Sequence, residues 1–128
     1  QVDIIKFVSA HDLGRVVNPA TCGNQIIGGV VQGIGYGLLE EPVIDAATGV
    51  MLNTNMHEYM LPEVQTCPNI VPIMVEDKPD PVTFNGTKGI GEPPIVACNA
   101  ALGNAVYNAC GARVMTTPLT PNRILAAL

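Results

Sequence analysis

Residues 25–41 read QIIGGVVQGIGYGLLEE, a stretch with no helix breaker stronger than glycine. We predict a helix from about Ala20 to Glu40. Gly29, Gly33 and Gly37 recur at four-residue steps, so they share one face of that helix and let another backbone approach closely. Each glycine costs a helix about 1 kcal/mol relative to alanine. We therefore expect close packing against a partner or a cofactor on this face.

The regions on either side of this helix predict strands and loops. Residues 2–9 are β-branched and partly alternating, which is typical of a strand, and residues 70–77 have the same character. A strand pair is expected around a turn at residues 45–49. Residues 53–70 carry two prolines and indicate a loop. The fold class predicted from these segments is α+β, with mixed strands and buried helices rich in glycine and alanine.

Two further helices and one more loop complete the predicted fold. Residues 93–110 begin with two prolines and are rich in alanine, so they predict a helix that Gly111 ends. Thr120 is the expected N-cap of a short third helix. Residues 11–19 predict a loop, and Asp12 suits a turn within it.

Composition limits the kinds of partner this chain takes. Its 128 residues suffice for one core, yet 48% are hydrophobic and 13% are charged, where about 25% charged is usual. We therefore expect other protein to cover much of the surface. No run approaches the ~18 apolar residues of a membrane span, so a membrane partner is not expected. A net charge of −5 and 4% aromatic residues argue against nucleic acid.

The cysteines and histidines predict no metal site. The four cysteines form no C-x-x-C pair, and the two histidines lack the H-E-x-x-H spacing. Isolated thiols in an apolar chain are mostly small buried hydrophobes. Free thiols favour a reducing compartment, and the cytoplasm is the expected location. The first residues carry no signal-peptide pattern, so we expect the chain to begin within a longer protein.

Residues 86–94, GTKGIGEPP, set one glutamate among glycines and prolines. Glu92 directly precedes the predicted helix at 93–110, so its carboxylate could complement the positive end of the helix dipole. A second interpretation is a general base. Flanking apolar residues would then raise the pKa of the carboxyl group in a dry pocket, and the glycines would let a ligand approach the backbone. The residues alone leave both interpretations open.

Four motifs in order resemble one enzyme family. They are HDLGRVVNP at 11–19, GNQIIGGVVQGIGYGLLEE at 23–41, KGIGEPP at 88–94 and TPLTPNRILAAL at 117–128. Together they are similar to the C-terminal portion of the molybdopterin-binding large subunit of the xanthine dehydrogenase/aldehyde oxidase family. The resemblance spans essentially the whole chain. It implies that residues 1–128 are one C-terminal segment of the molybdopterin-binding domain.

The resemblance also implies roles for individual residues. Glu92 occupies the position of the catalytic base beside molybdenum. It would take a proton from the water-derived oxygen that attacks an aldehyde carbon or a ring carbon next to nitrogen. Gln25 matches a glutamine that hydrogen-bonds the pterin, and its amide offers both a donor and an acceptor. Lys88, Gly89 and Gly91 would lie along the cofactor side of the loop.

The implied cofactor is a molybdenum-pterin, with a cytosine dinucleotide form expected for bacterial members. Iron–sulfur clusters and FAD would lie in other domains or subunits, because this chain has no cysteine pattern for a cluster and no flavin site. The implied partners are the remainder of the large subunit, iron–sulfur and flavin subunits, and a small-molecule substrate. The alternative is a non-catalytic interaction or structural domain in which GIGEPP only begins a helix.

Overall fold

The computed structural model describes residues 2–128, and the α+β fold class is confirmed. This part of the chain contains two strands, four α-helices and one π-helical segment. The strands are β1 (Lys6–Asp12) and β2 (Asn69–Val75), and the helices are α1 (Pro19–Ile34), α2 (Pro93–Val96), α3 (Cys98–Cys110) and α4 (Pro121–Ala126). None of these helices is both long and apolar enough to cross a membrane.

Strands β1 and β2 pair in parallel. Their register runs from Lys6 opposite Asn69 to Asp12 opposite Val75, so both strands end at the same edge of the sheet. The prediction for β1 was displaced, because residues 2–5 have no partner strand while residues 10–12 pair with β2. The loop predicted at 11–19 therefore begins two residues later.

Helix α1 forms where the glycine-rich sequence predicts it. Asn18 caps its first turn by accepting hydrogen bonds from the N–H groups of Ala20 and Thr21, at 3.1 and 3.2 Å. The helix continues into the π-helical segment Gly35–Leu39, which ends where Glu40 N–H donates to Gly35 O at 2.8 Å. The predicted end at Glu40 is thus confirmed, with a widened last turn.

The glycine face of α1 packs against α2 and α3. A Cβ on Gly29 would overlap Pro94, one on Gly33 would overlap Cys98, and one on Gly37 would overlap Leu102. Gly37 lies in the π-helical segment, so this glycine face extends from α1 into that segment, and the three residues that it meets on α2 and α3 are also four positions apart. The expected close approach is therefore made by this chain's own helices.

Residues 93–110 form two helices instead of the predicted one. Ala97 lies between them with φ −87° and ψ −7°, in the right-handed helical region but with ψ turned away from the usual value of about −42°. The Cys98 thiol donates to Pro94 O at 3.1 Å, one turn back across this junction. Gly111 ends α3 with φ 80°, and the Thr120 side chain caps α4, as predicted.

The strand pair predicted around residues 45–49 is present only as a short antiparallel pairing on either side of the predicted turn. Asp45 holds a turn there, but strand-like pairing is limited to one bridge between Ile44 and Met51. The reason is Asn53, whose side chain accepts from Val43 N–H and donates to Glu41 O, both at 2.8 Å. These are backbone groups that a longer ladder would use.

Two groups of buried residues make the core. Val30, Ile34 and Cys98 fill the space between α1 and the sheet, with Phe7 and Ile70 packed against them. The second group lies between α3 and the segments that follow it, and comprises Leu102, Val106, Ala112 and Leu119. The core thus fixes α1, α3 and β1 relative to one another, and α1 and β1 carry two of the residues discussed next, Gln25 and Asp12.

Candidate active site

The glycine-rich stretch at residues 86–92 lies beside the carboxyl end of β1. Gly14, just past β1, forms an isolated antiparallel bridge with Thr87. Gly14 has φ 62°, and a Cβ on it would overlap the carbonyl oxygen of Gly86, so this contact requires glycine. In open α/β sheets, ligands bind outside the carboxyl ends of the strands. The stretch occupies that position in this fold.

Lys88 is tied to the sheet through Asp12, the last residue of β1. The two side chains form an ion pair, with 32% of the lysine and 49% of the aspartate side chain exposed. Asp12 also accepts a hydrogen bond from Gly14 N–H at 2.9 Å. The hydrogen bond from Lys88, followed by that from Gly14, lowers the pKa of the Asp12 carboxyl group.

Gln25 reaches the same stretch from helix α1. Its Nε2 donates to the carbonyl oxygen of Gly91 at 3.2 Å, across 66 positions of sequence. The structure therefore brings two of the predicted cofactor-binding residues into direct contact. Glu92 follows Gly91, so Gln25 also contacts the residue directly before the predicted base.

Glu92 is exposed and occupies the N-cap position of α2. Its side chain makes no capping hydrogen bond, and α2 is only four residues long. The capping interpretation therefore has little support from this geometry. The apolar surroundings predicted for Glu92 are also not supplied by residues 2–128, because the carboxylate side chain lies on the surface of this part of the chain.

Gly89 and Gly91 face open space. A Cβ on either would meet nothing within 4 Å, and neither is among the glycines with positive φ. Neither crowding within residues 2–128 nor backbone conformation therefore requires glycine here. A group from outside the chain could approach the backbone at both positions without meeting a side chain.

A comparison with protein-family models identifies the family of this chain. Residues 1–68 match the model described as "Molybdopterin cofactor-binding domain". The chain belongs to this family. The resemblance to the xanthine dehydrogenase and aldehyde oxidase large subunits is thereby confirmed, and the family's cofactor is a molybdenum-pterin.

Curated relatives extend the match beyond residue 68 to the glycine-rich stretch. The chain is 40% identical over 124 residues to a putative xanthine dehydrogenase molybdenum-binding subunit of Escherichia coli K12. It is 38% identical over 125 residues to the gamma subunit of a 6-hydroxypseudooxynicotine dehydrogenase complex of Paenarthrobacter nicotinovorans. These alignments cover 97% and 96% of this chain, and it spans 16% of the length of each relative.

A solved structure has the same fold as this chain. Quinoline 2-oxidoreductase from Pseudomonas putida 86 superposes with a TM-score of 0.89 at 32% identity. The match covers 98% of this chain and 16% of that one. The arrangement of α1, the sheet and the glycine-rich stretch is therefore shared with a solved enzyme structure.

The residues present fit one side of a molybdenum-pterin. Open backbone at Gly89 and Gly91, next to the Gln25 amide, suits a planar heterocycle with several donors and acceptors. Within residues 2–128, no three histidine, cysteine, aspartate or glutamate side chains converge as metal ligands. The fit is thus to the organic part of the cofactor and does not include a protein ligand set for the metal.

Asp12 contacts the candidate site through Lys88, although the sequence predicted only a turn for it. The turn is confirmed by its hydrogen bond to Gly14, but the ion pair with Lys88 spans 76 positions. Such a pairing cannot be predicted from local spacing. The sequence signal for Asp12 was its position in HDLGRVVNP, one of the four motifs that resemble the family.

Proposed function

We propose that this chain forms part of a molybdenum hydroxylase and supplies its active-site base together with contacts to the pterin. The reaction is oxidation of an aldehyde carbon or an N-heterocycle carbon with oxygen derived from water. The substrate is a small molecule with an electron-poor carbon. Membership of the molybdopterin cofactor-binding family supports the reaction class.

The observation that carries this proposal is the contact between Gln25 and Gly91. It brings helix α1 to the residue directly before Glu92, with a 3.2 Å hydrogen bond across 66 positions. Gln25, a proposed pterin contact, and Glu92, the proposed base, thus lie close to each other on one surface. An interaction domain whose GIGEPP stretch only begins a helix would not need this convergence.

Glu92 is the proposed general base. Its carboxylate is exposed and is not occupied by helix capping, so it is able to accept a proton. The proton is taken from the water-derived oxygen nucleophile, which becomes more reactive as it is deprotonated. The adjacent prolines fix where α2 begins and therefore where Glu92 stands.

Gln25, Lys88, Gly89 and Gly91 are the proposed pterin contacts. When bound, the molybdenum-pterin supplies the two-electron oxidation. Gln25 offers an amide to the heterocycle edge, and the two glycines leave their backbone groups accessible. The Lys88 ammonium has three donors, and its ion pair with Asp12 leaves donors for a cofactor oxygen. A cytosine dinucleotide form of the cofactor belongs to the same proposal.

The proposed partners are the remainder of the large subunit and subunits that hold iron–sulfur clusters and FAD. Exposed apolar side chains support this part of the proposal, with Phe84, Val64 and Ile5 each more than 90% exposed. We place the assembly in the cytoplasm, because the four cysteines are free thiols, which a reducing compartment maintains.

Substitution of Glu92 by glutamine tests the proposal. Glu92→Gln keeps the side-chain size and removes the basic oxygen, so turnover in the complete holoenzyme should fall by about 10²–10⁴-fold. Glu63→Gln is the matched control, because Glu63 is also exposed but lies on the loop before β2. Molybdenum content and Tm should stay at the unsubstituted values in both variants.

Near-normal turnover in Glu92→Gln, at full molybdenum content, would overturn the proposal. That result would favour the alternative, a non-catalytic interaction domain of a larger complex.

A further inference from the structure

We propose that Asp12 is a positioning residue for the stretch that carries Glu92. This inference rests on the proposed function, and it concerns how the base is held and not the proton transfer itself. Asp12 lies at the carboxyl end of β1, and the stretch it holds spans residues 86–92. The motif HDLGR thereby acquires a role beyond forming a turn.

The carboxylate of Asp12 makes two contacts with different functions. One oxygen, Oδ1, accepts the N–H of Gly14 at 2.9 Å and so fixes the backbone just past β1. The other oxygen, Oδ2, pairs with the ammonium group of Lys88. A single side chain thus joins the end of the sheet to the residue four positions before Glu92.

Backbone contacts align the same two segments. Lys88 N–H donates to Leu13 O, and Arg15 N–H donates to Gly86 O, both at 2.9 Å. These bonds flank the bridge between Gly14 and Thr87. The ion pair lies beside this short antiparallel contact, so the Lys88 side chain and its backbone are held by neighbouring residues of one strand end.

The far end of the stretch has its own anchor. Gln25 Nε2 donates to Gly91 O at 3.2 Å, which leaves Gly89 and Ile90 between the two anchors. A Cβ on Gly89 would meet nothing within 4 Å, so no neighbouring group packs against this position. The position of Glu92 therefore depends on what fixes Lys88 on one side and Gly91 on the other.

The Asp12–Lys88 ion pair is partly exposed, so we expect it to affect the position of residues 86–92 and not the stability of the whole protein. Pairs in which both side chains are partly exposed add little to the free energy of unfolding. A misplaced catalytic group, in contrast, can reduce turnover strongly even when the shift is small. Loss of the Asp12 charge should therefore change the mobility of residues 86–92 and the rate of reaction, but not the stability of the protein.

The substitution Asp12→Asn tests this inference in the complete holoenzyme. Asparagine keeps an oxygen for Gly14 N–H and removes the charge that pairs with Lys88. Amide hydrogen exchange over residues 86–92 should become about tenfold faster, measured with and without cofactor. Turnover should show kcat reduced by about tenfold with KM unchanged, because substrate contacts are intact.

Two further variants make the result specific. Asp45→Asn is the matched control, because Asp45, like Asp12, accepts the backbone N–H of the residue two positions later, but it lies in the separate turn at residues 45–49. It should leave kcat and the exchange of residues 86–92 unchanged. Asp12→Glu keeps a carboxylate for Lys88 and should restore most of the slow exchange.

The inference is overturned if Asp12→Asn leaves exchange and kcat as in the unsubstituted enzyme. It is also overturned if Tm and molybdenum content fall together with kcat, since that would indicate a general folding role. Full activity of Glu92→Gln would overturn the proposed function alone, because the exchange measured without cofactor reports on Asp12 independently of the base.

Discussion

At the residue scale, the small side chain of Cys98 both packs tightly against α1 and makes a hydrogen bond. It is 1% exposed, it contacts the Gly33 face of α1, and its thiol donates to Pro94 O. Burial raises the pKa of the Cys98 thiol, because a thiolate would lose its hydration. The expected small buried hydrophobe is thus present, with an added hydrogen bond.

Alkylation should separate Cys98 from Cys110. Iodoacetamide reacts with the thiolate, so a buried thiol with a raised pKa reacts slowly while exposed Cys110 reacts quickly. Mass spectrometry of timed samples measures both rates, and equal rates would show that Cys98 is accessible.

Glu92 and Gln25 could be nominated from the sequence because each lies in a recognisable motif. Their contact through Gly91 could not, since 66 positions separate Gln25 from that carbonyl. The pairing of Lys88 with Asp12 was likewise beyond local spacing. Residue identities therefore predicted candidates, and the tertiary structure determined which of them meet.

The glycine face of α1 is the feature that the sequence predicted best at the scale of elements. Its four-residue period follows from helical geometry alone, so the close approach could be expected. The occupant could not, because a cofactor, another subunit or this chain's own helices all suit a glycine face. A side-chain hydrogen bond also changed one element, since Asn53 accepts a hydrogen bond from Val43 N–H that a longer strand ladder would use.

Gly33→Ala should destabilise the fold. The new Cβ would overlap Cys98 Cβ and Sγ, and overpacking of this kind costs about 1–3 kcal/mol, more than the gain in helix propensity. Gly103→Ala, on α3, is the control, because a Cβ there meets nothing within 4 Å. It should leave Tm unchanged or raise it slightly. Thermal unfolding measures both, and a higher Tm for Gly33→Ala would contradict the packing described.

At the scale of the whole molecule, apolar side chains are exposed on several sides. A groove of about 830 Å³ lies between the residues around β1 and helices α3 and α4, lined mainly by apolar side chains such as Ile5, Val106 and Leu125. The sheet face that does not pack against α1 exposes Val8 and Ile73. Parallel sheets are usually covered on both faces. Composition predicted that such surfaces exist, but their shape depends on the fold.

The purified chain alone should bind the molybdenum-pterin poorly and turn over no substrate. Its residues fit one side of the cofactor, and the relatives that it matches are about six times longer. Molybdenum analysis after cofactor loading, followed by an aldehyde oxidation assay, measures this. Stoichiometric molybdenum with turnover would mean that residues 1–128 form a complete site.

The location of the metal in a crystal of the complete holoenzyme shows whether Glu92 stands beside molybdenum as the base. An anomalous difference map at the molybdenum absorption edge gives that location independently of any assumption about the residues. We expect the peak beside residues 88–92, with a Glu92 carboxylate oxygen within about 3 Å of a ligand atom of the metal, directly or through one water. A molybdenum peak that Glu92 and Gln25 do not face would contradict the account.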